Sequence, residues 1–175
     1  MKIFKYGIPA LFATLCTACA QPSVEPPFGM TGSLVFDNQA SGRMSVAMYD
    51  HADDCSGRRT LPALATGEQK HVVIPAGSPL VFEVRQSGID YTNAIAQESC
   101  AFLPYFTPEP DEDYIATVTL DLPGHRCRLT LSTAVQTGQI WQARQAVPYL
   151  ARSLVVPVAT LHPHWCNALQ RVEAD

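Results

Sequence analysis

Residues 114–132 read YIATVTLDLPGHRCRLTLS, and this stretch decides the fold class. Its first half is rich in β-branched side chains, which favour strands, and the Pro-Gly-His triplet that follows is typical of a turn. In the returning half Cys127, Leu129 and Leu131 alternate with polar residues, so the three apolar side chains share one face of a strand. The stretch therefore predicts a β-hairpin with one apolar face.

The same period-two pattern recurs in short segments along the chain, with turn residues between them. About seven or eight short strands separated by turns roughly every eight to twelve residues predict an all-β fold. We expect an antiparallel β-sandwich, immunoglobulin-like or transthyretin-like, formed as a single domain over residues 30–175. The clearest further strand candidates are residues 33–38, 43–50, 71–74, 80–85 and 100–106.

The segment LVFEVR at 80–85 shows the alternation most clearly. Leu80 and Phe82 fall on one face of the predicted strand, while Glu83 and Arg85 fall on the other. The first face is therefore expected to meet the core and the second to meet water.

The strand pattern weakens beyond Thr133. Ile140, Ala143 and Val147 have the three- and four-residue spacing of one helix face, and Pro148 would end such a helix. A short helix is therefore expected in this segment.

The N-terminus has the features of a secretory signal peptide. Lys2 and Lys5 give it a positive start, and residues 7–18 are apolar or small without any charge. That apolar run is too short for a bilayer-spanning helix, which needs roughly 20 residues. A charged start, a short apolar run and small residues after it predict export.

The end of this segment resembles the lipobox of bacterial lipoproteins. Residues 15–19 read LCTAC, with a small residue before Cys19 and a cysteine where the family usually has leucine. The resemblance implies that residues 1–18 are removed and that Cys19 becomes a lipidated N-terminus in the bacterial cell envelope. Ala20 resembles the pattern of lipoproteins sorted to the outer membrane, facing the periplasm or the surface. The alternative is cleavage after Ala20, which would release a chain that starts at Gln21.

The segment that follows, within residues 19–29, is rich in proline. Pro22, Pro26 and Pro27 favour an extended, semi-rigid tether with a rise of about 3.1 Å per residue. Ten such residues would hold the domain on the order of 30 Å from a membrane.

The cysteines outside the signal predict two disulfides. Either cleavage leaves Cys55, Cys100, Cys127 and Cys166 in the folded domain. An even number of cysteines in an exported chain is typical of disulfides, and four cysteines allow three pairings.

One pairing is favoured by the order of the predicted strands. If residues 100–132 form an up-down-up meander, Cys100 and Cys127 open its first and third strands at the same end of one sheet. Strands separated by one neighbour lie roughly 9–10 Å apart, whereas a disulfide needs Cα atoms within about 7 Å. Pairing Cys100 with Cys127 therefore needs a sheet corner or a bulge, and it leaves Cys55 to pair with Cys166.

Charge and motifs argue against several classes of function. The chain has 12 basic and 16 acidic residues and a formal net charge of −4, and it has no basic run. Nucleic-acid binding is therefore not expected. The sequence contains no phosphate-binding glycine loop, dinucleotide fingerprint or serine-nucleophile motif, so we expect neither a cofactor nor catalysis.

One turn concentrates acidic side chains. Glu109, Asp111, Glu112 and Asp113 lie within five residues of one another, between two predicted strands. Turn residues of this kind are usually solvated, but the group could also bind a basic partner or a cation.

A second group has the spacing of metal ligands. His162, His164 and Cys166 alternate, and on a strand they would point the same way with ligand types that suit zinc or copper. Pro163 interrupts such a strand and a disulfide would occupy Cys166, so metal binding is kept as an alternative only.

The predicted function is that of a non-catalytic, lipid-anchored envelope protein that binds or supports another envelope component. One alternative is a periplasmic inhibitor or immunity-type protein, whose acidic turn would enter a basic cleft of a hydrolase. Another is a metal-binding protein that uses His162 and His164.

Overall fold

A computed structural model describes residues 29–88, 100–121, 126–152 and the short segments 154–155, 165–166 and 170–171. Cys19, His162 and His164 lie outside these residues. Over the described ranges all regular structure is β, which confirms the predicted all-β fold class. Those ranges contain no helix long and apolar enough to cross a membrane.

The described residues form fourteen strands, four of which have only two residues. They exceed the predicted seven or eight because of these short additions, and because β3 and β10 form where the sequence showed no clear strand. In chain order they are β1 Thr31–Asn38, β2 Arg43–His51, β3 Ser56–Thr60, β4 Gln69–Pro75, β5 Leu80–Ser87, β6 Cys100–Phe102, β7 Pro104–Phe106, β8 Asp113–Asp121, β9 Arg126–Thr137, β10 Ile140–Ala146, β11 Leu150–Ala151, β12 Leu154–Val155, β13 Trp165–Cys166 and β14 Gln170–Arg171.

The strands form a two-sheet sandwich, as predicted. Sheet I has the order β10-β9-β8-β1-β4, and sheet II has the order β14-β11-β7-β5-β2-β3, with β6 also paired to β5. β12 and β13 pair with each other. Neighbouring strands are antiparallel except β1 and β8, which are parallel. In an immunoglobulin-like sandwich the first two strands share a sheet, whereas here β1 and β2 lie in opposite sheets.

A row of four aromatic rings joins the two sheets across the core. Phe36 of sheet I meets Phe82 of sheet II edge to face, with ring centroids 5.2 Å apart. Phe82 meets Phe106 at 6.4 Å, and Phe106 meets Tyr114 of sheet I at 5.1 Å. Edge-to-face pairs add to the free energy gained from burying the rings, so this row fixes how the sheets face each other.

The helix expected around residue 140 is wrong. β9 continues to Thr137, and the chain turns through Gly138, whose φ is 65°, into β10. Ile140, which was placed on the apolar helix face, is 60% exposed. Glycine adopts positive φ readily, and β10 pairs with β9 from Ile140 to Ala143 and again at Ala146. The hairpin therefore satisfies most of the backbone groups that a helix would otherwise pair.

The tip of this hairpin reaches the opposite edge of sheet I. The side-chain amide of Gln69 in β4 donates to the Trp141 carbonyl at 3.2 Å and accepts from the Trp141 N–H at 3.1 Å. The Trp141 ring also stacks on His71 with centroids 5.3 Å apart. Sheet I therefore curls over its outer face and covers a small second apolar cluster of Val35, Ile115 and Ala134.

The disulfide pairing favoured from the sequence is confirmed. Cys55 pairs with Cys166, with Cα atoms 5.6 Å apart, and Cys100 pairs with Cys127 at 6.0 Å. The meander that suggested this pairing is wrong, because β6 and β7 pair with β5 in sheet II. The Cys100–Cys127 bridge therefore joins the two sheets, and the distance problem of a single sheet does not arise.

The outward face of β5 is less exposed to solvent than the alternation of its residues predicts. Val81 is fully buried and Glu83 is 2% exposed, so Arg85 alone among its outward residues from 81 to 85 meets water. Val81 packs in an apolar cluster with Cys55 and Leu103, and the Cys55–Cys166 bridge lies against it. Segments distant in the sequence therefore cover this face.

Candidate functional site

An open groove lies at one edge of the sandwich, with a volume of about 1330 Å³. One wall is formed by side chains within residues 105–114, which connect β7 to β8. The other wall comes from residues 133–134 of β9 and residues 144–150, which lead from β10 to β11. The groove thus lies between the acidic turn and the end of the β9–β10 hairpin.

Backbone hydrogen bonds fix the acidic turn, defined here as residues 108–113. The Asp111 N–H donates to the Thr31 carbonyl at 2.9 Å, and the Ser33 N–H donates to the Glu112 carbonyl at 3.0 Å. The carbonyl of Pro108 accepts from Gly77 at 2.8 Å. These bonds hold the turn against β1 and the β4–β5 corner, so its side chains are presented from a fixed backbone.

The side chains of the four acidic residues singled out in the sequence have different surroundings. Glu109 and Glu112 line the groove. Asp111 is exposed and has a φ of 59°, in the left-handed region that aspartate tolerates better than most residues. Asp113 accepts a short hydrogen bond from the Ser33 hydroxyl. The structure therefore places two of the four carboxylates, Glu109 and Glu112, in one groove.

The opposite wall contains a break in the strand ladder. The pairing of β10 with β9 shifts register between Ala143 and Ala146, which marks a β-bulge. Within it the Gln145 N–H donates to the Thr133 hydroxyl at 3.3 Å instead of to a strand carbonyl. The bulge turns Arg144 into the groove lining, where it is exposed. One wall is thus acidic and the other carries a cation.

Tyrosines form much of the apolar lining. The Tyr114 hydroxyl accepts the Glu109 N–H at 2.9 Å, and the Tyr149 hydroxyl donates to the Leu129 carbonyl at 3.0 Å. Burial raises the pKa of both phenols above the usual value, so both are neutral at physiological pH. The groove therefore combines aromatic surface with two carboxylates and one guanidinium.

Gly32 is the point where β1 approaches the acidic turn most closely. A Cβ at this position would lie 2.7 Å from the Glu112 carbonyl oxygen and 3.2 Å from that of Glu109. We expect Gly32→Ala to push the turn away and to lower the free energy of unfolding by about 1–3 kcal/mol. Amide hydrogen exchange of Ser33 and Asp111 should accelerate in the variant. Unchanged protection of both amides would contradict the close contact between β1 and the acidic turn at Gly32.

A second polar cluster lies on the outer face of sheet II. We call it the Glu83 cluster; it consists of Tyr49, Arg58, Glu83 and Arg85. The Tyr49 hydroxyl donates to Glu83 Oε2 at 2.7 Å, and Arg58 approaches the same oxygen at 3.4 Å through both Nε and Nη2. Arg85 Nε donates to Oε1. A buried carboxylate is tolerated because three donors satisfy it.

The cluster shifts two pKa values in opposite directions. Burial opposes ionisation of Glu83, but the Tyr49 hydroxyl and the two guanidiniums outweigh it and lower the pKa of the carboxyl. Burial and the Glu83 carboxylate raise the pKa of Tyr49 to about 12. Glu83 therefore stabilises the fold above its usual pKa and loses this effect as pH falls. Tyr49 stabilises the fold below its unfolded pKa and loses this effect as pH rises.

The phenol of Tyr49 predicts a slope in stability at alkaline pH. Because its pKa is about 12 in the fold and near 10 when unfolded, the free energy of unfolding should fall by up to roughly 2–3 kcal/mol as pH rises from 10 to 12. Tyr49→Phe should remove this part of the slope and leave the part due to other tyrosines. Denaturant unfolding of both proteins across this range measures the difference. Identical slopes would contradict the burial of the Tyr49 hydroxyl.

Sequence reasoning identified the acidic turn but missed the groove and the Glu83 cluster. The groove depends on the β9–β10 hairpin, and the cluster joins strands far apart in the chain. Over the described ranges, no group of three or more His, Cys, Asp or Glu side chains is placed to hold a metal ion. The predicted ligands His162 and His164 lie outside those ranges, and so does the lipidation residue Cys19.

Comparison of the chain with protein-family models, with curated protein sequences and with solved structures finds no match.

Proposed function

We propose that this protein is a non-catalytic, lipid-anchored component of the bacterial cell envelope that binds an extended segment of a protein partner in the groove. The observation that carries the proposal is the groove itself, in which Glu109 and Glu112 are presented from a backbone fixed to β1. Such preorganisation lowers the entropic cost of binding.

The lining indicates the chemistry of the segment. Two carboxylates on one wall favour a basic residue, while Tyr114, Tyr149 and the neighbouring apolar groups favour an aromatic or aliphatic one. Arg144 on the other wall favours an acidic or carbonyl oxygen. An extended chain fits because the groove is open and residues 144–146 line it where the ladder between β10 and β9 is broken.

The place where the predicted tether joins the domain supports a groove that lies close to the membrane. Thr31, the first residue of β1, is hydrogen bonded to Asp111 of the acidic turn. A proline-rich tether of the predicted length would therefore hold the groove within roughly 30 Å of the lipid attached to Cys19. Mass spectrometry of the mature N-terminus tests the anchor, since a triacylated Cys19 is expected and an unmodified Gln21 would contradict it.

The binding proposal is tested by neutralising the acidic wall. Full-length tagged protein is extracted from native membranes, and the proteins retained with it are quantified. Glu109→Gln with Glu112→Gln should lower recovery of the specific partner at least tenfold, since each lost charge-assisted contact typically contributes ~1.5–3 kcal/mol. Asp111→Asn with Asp53→Asn removes the same charge from exposed positions outside the groove and is the matched control. Equal loss in both double variants, or in neither, would contradict the proposal.

The inhibitor alternative draws support from the same rigid turn. An inhibitor would insert the exposed tip, so Asp111→Asn should weaken it more than the groove variants do. The two functions therefore predict opposite orders of effect. The metal-binding alternative, through His162 and His164, stays a prediction from the sequence and is tested by equilibrium dialysis with Zn²⁺ and Cu²⁺.

A further inference from the structure

We propose that the two arginines of the Glu83 cluster form a binding site for a phosphate group on the outer face of sheet II, separate from the groove. The site is formed by Arg58 on β3 and Arg85 on β5, with Glu83 beneath them as the group that positions both. Glu83 is a positioning residue and does not contact the phosphate.

The first support is the way the guanidiniums are held. Glu83 has a side chain only 3% exposed, whereas the side chains of Arg58 and Arg85 are 38% and 48% exposed. The carboxylate thus lies below, and each guanidinium lies over one of its two oxygens. Arg58 is further fixed by a 3.0 Å bond from Nη1 to the Thr60 hydroxyl. Two flexible cations are therefore held by one buried carboxylate on the outer face of sheet II.

The second support is the number of N–H groups left over. A guanidinium has five N–H donors. Arg58 directs three of them, one from each nitrogen, to Glu83 and Thr60, and Arg85 directs its Nε–H to Glu83. The remaining N–H groups of both residues have no acceptor among the described residues. Ser45 is paired directly with Arg85 across β2 and β5, and it adds a hydroxyl beside that arginine.

Charge supports the same assignment. The cluster carries two cations and one carboxylate, so it is locally positive on a chain whose formal net charge is −4. An anion above the sheet would lie nearer to both guanidiniums than to the carboxylate below, and attraction falls with distance, so the net interaction is favourable. A phosphate group suits two guanidiniums on different strands because its several oxygens can accept hydrogen bonds from both, and guanidinium N–H groups match the geometry of phosphate oxygens.

The phosphate could belong to a lipid headgroup or to a soluble molecule, and the experiment separates these sources. Inorganic phosphate is titrated into the oxidised protein while the side-chain N–H signals of the arginines are followed by NMR. We expect the signals of Arg58 and Arg85 to shift and saturate, with that of Arg128 unmoved. This measurement needs no variant and therefore does not depend on the folding of one. Absence of a saturable shift at Arg58 and Arg85 would overturn the proposal.

Variants and vesicles complete the test. Arg58→Gln with Arg85→Gln should weaken phosphate binding at least tenfold, while Arg128→Gln, an exposed arginine of sheet I, should leave it unchanged. Equal binding by all three proteins would overturn the site. Stronger binding of the wild type to phosphatidylglycerol vesicles than to phosphatidylcholine vesicles, lost in the double variant, would assign a lipid source. Binding of glycerol phosphate with no preference between the vesicles would assign a soluble one.

Discussion

Replacing Cys55 and Cys166 together with alanine is expected to lower the free energy of unfolding by about 4–5 kcal/mol. The two residues are 111 positions apart, and opening so long a loop releases conformational entropy in the unfolded chain. Cys55 is also buried in a cluster with Tyr49, Val81 and Leu103, so some apolar contact is lost as well. Equilibrium unfolding in denaturant of the exported, oxidised protein gives the value.

The second bridge provides the matched control. Cys100 and Cys127 are 27 positions apart, so the same double replacement should cost less, about 3.5 kcal/mol. Both variants remove one covalent link, and the sizes of the two loops differ fourfold or so. A greater loss from the Cys100–Cys127 pair would show that loop length does not govern the effect.

Phe82→Ala is expected to lower the free energy of unfolding by about 3–5 kcal/mol. The ring is fully buried, and it contacts Phe36 of the facing sheet and Phe106 of its own, so its loss leaves a cavity in the middle of the aromatic row. Because Phe106 also contacts Tyr114 of the groove, the tyrosine signals of the groove should change in the NMR spectrum.

Val73→Ala is the control for this replacement. Val73 belongs to β4 but is 51% exposed, so its truncation should change the free energy of unfolding by less than about 0.5 kcal/mol. A loss below about 1 kcal/mol for Phe82→Ala would mean that the aromatic row does not fix the position of the sheets.

Local alternation was sufficient to predict much of the fold. It identified β1, β2, β5, β8 and the first part of β9, because each has one apolar face that packs in the core. It also led to the correct disulfide pairing, although through a meander that does not form. Strand identity is a local property, whereas the neighbours of a strand depend on contacts across the whole chain.

The features that prediction missed depend on such distant contacts. Glu83 was expected to meet water, but Arg58 and Tyr49 of other strands cover it. Ile140 and Ala143 have helical spacing, yet the turn at Gly138 and the ladder to β9 decide their structure. The groove could not be predicted either, because its second wall is the segment for which the spacing predicts a helix.

The groove as the partner-binding site is tested most directly by site-specific photo-crosslinking in living cells. A photoreactive phenylalanine analogue is placed at Gln145 in the groove wall, or at Lys70, an exposed residue of β4 outside the groove lining. We predict that Gln145 crosslinks to one envelope protein, that Lys70 does not, and that the product disappears with Glu109→Gln and Glu112→Gln. A crosslink of equal yield from Lys70, or one that persists without the two carboxylates, would contradict the account.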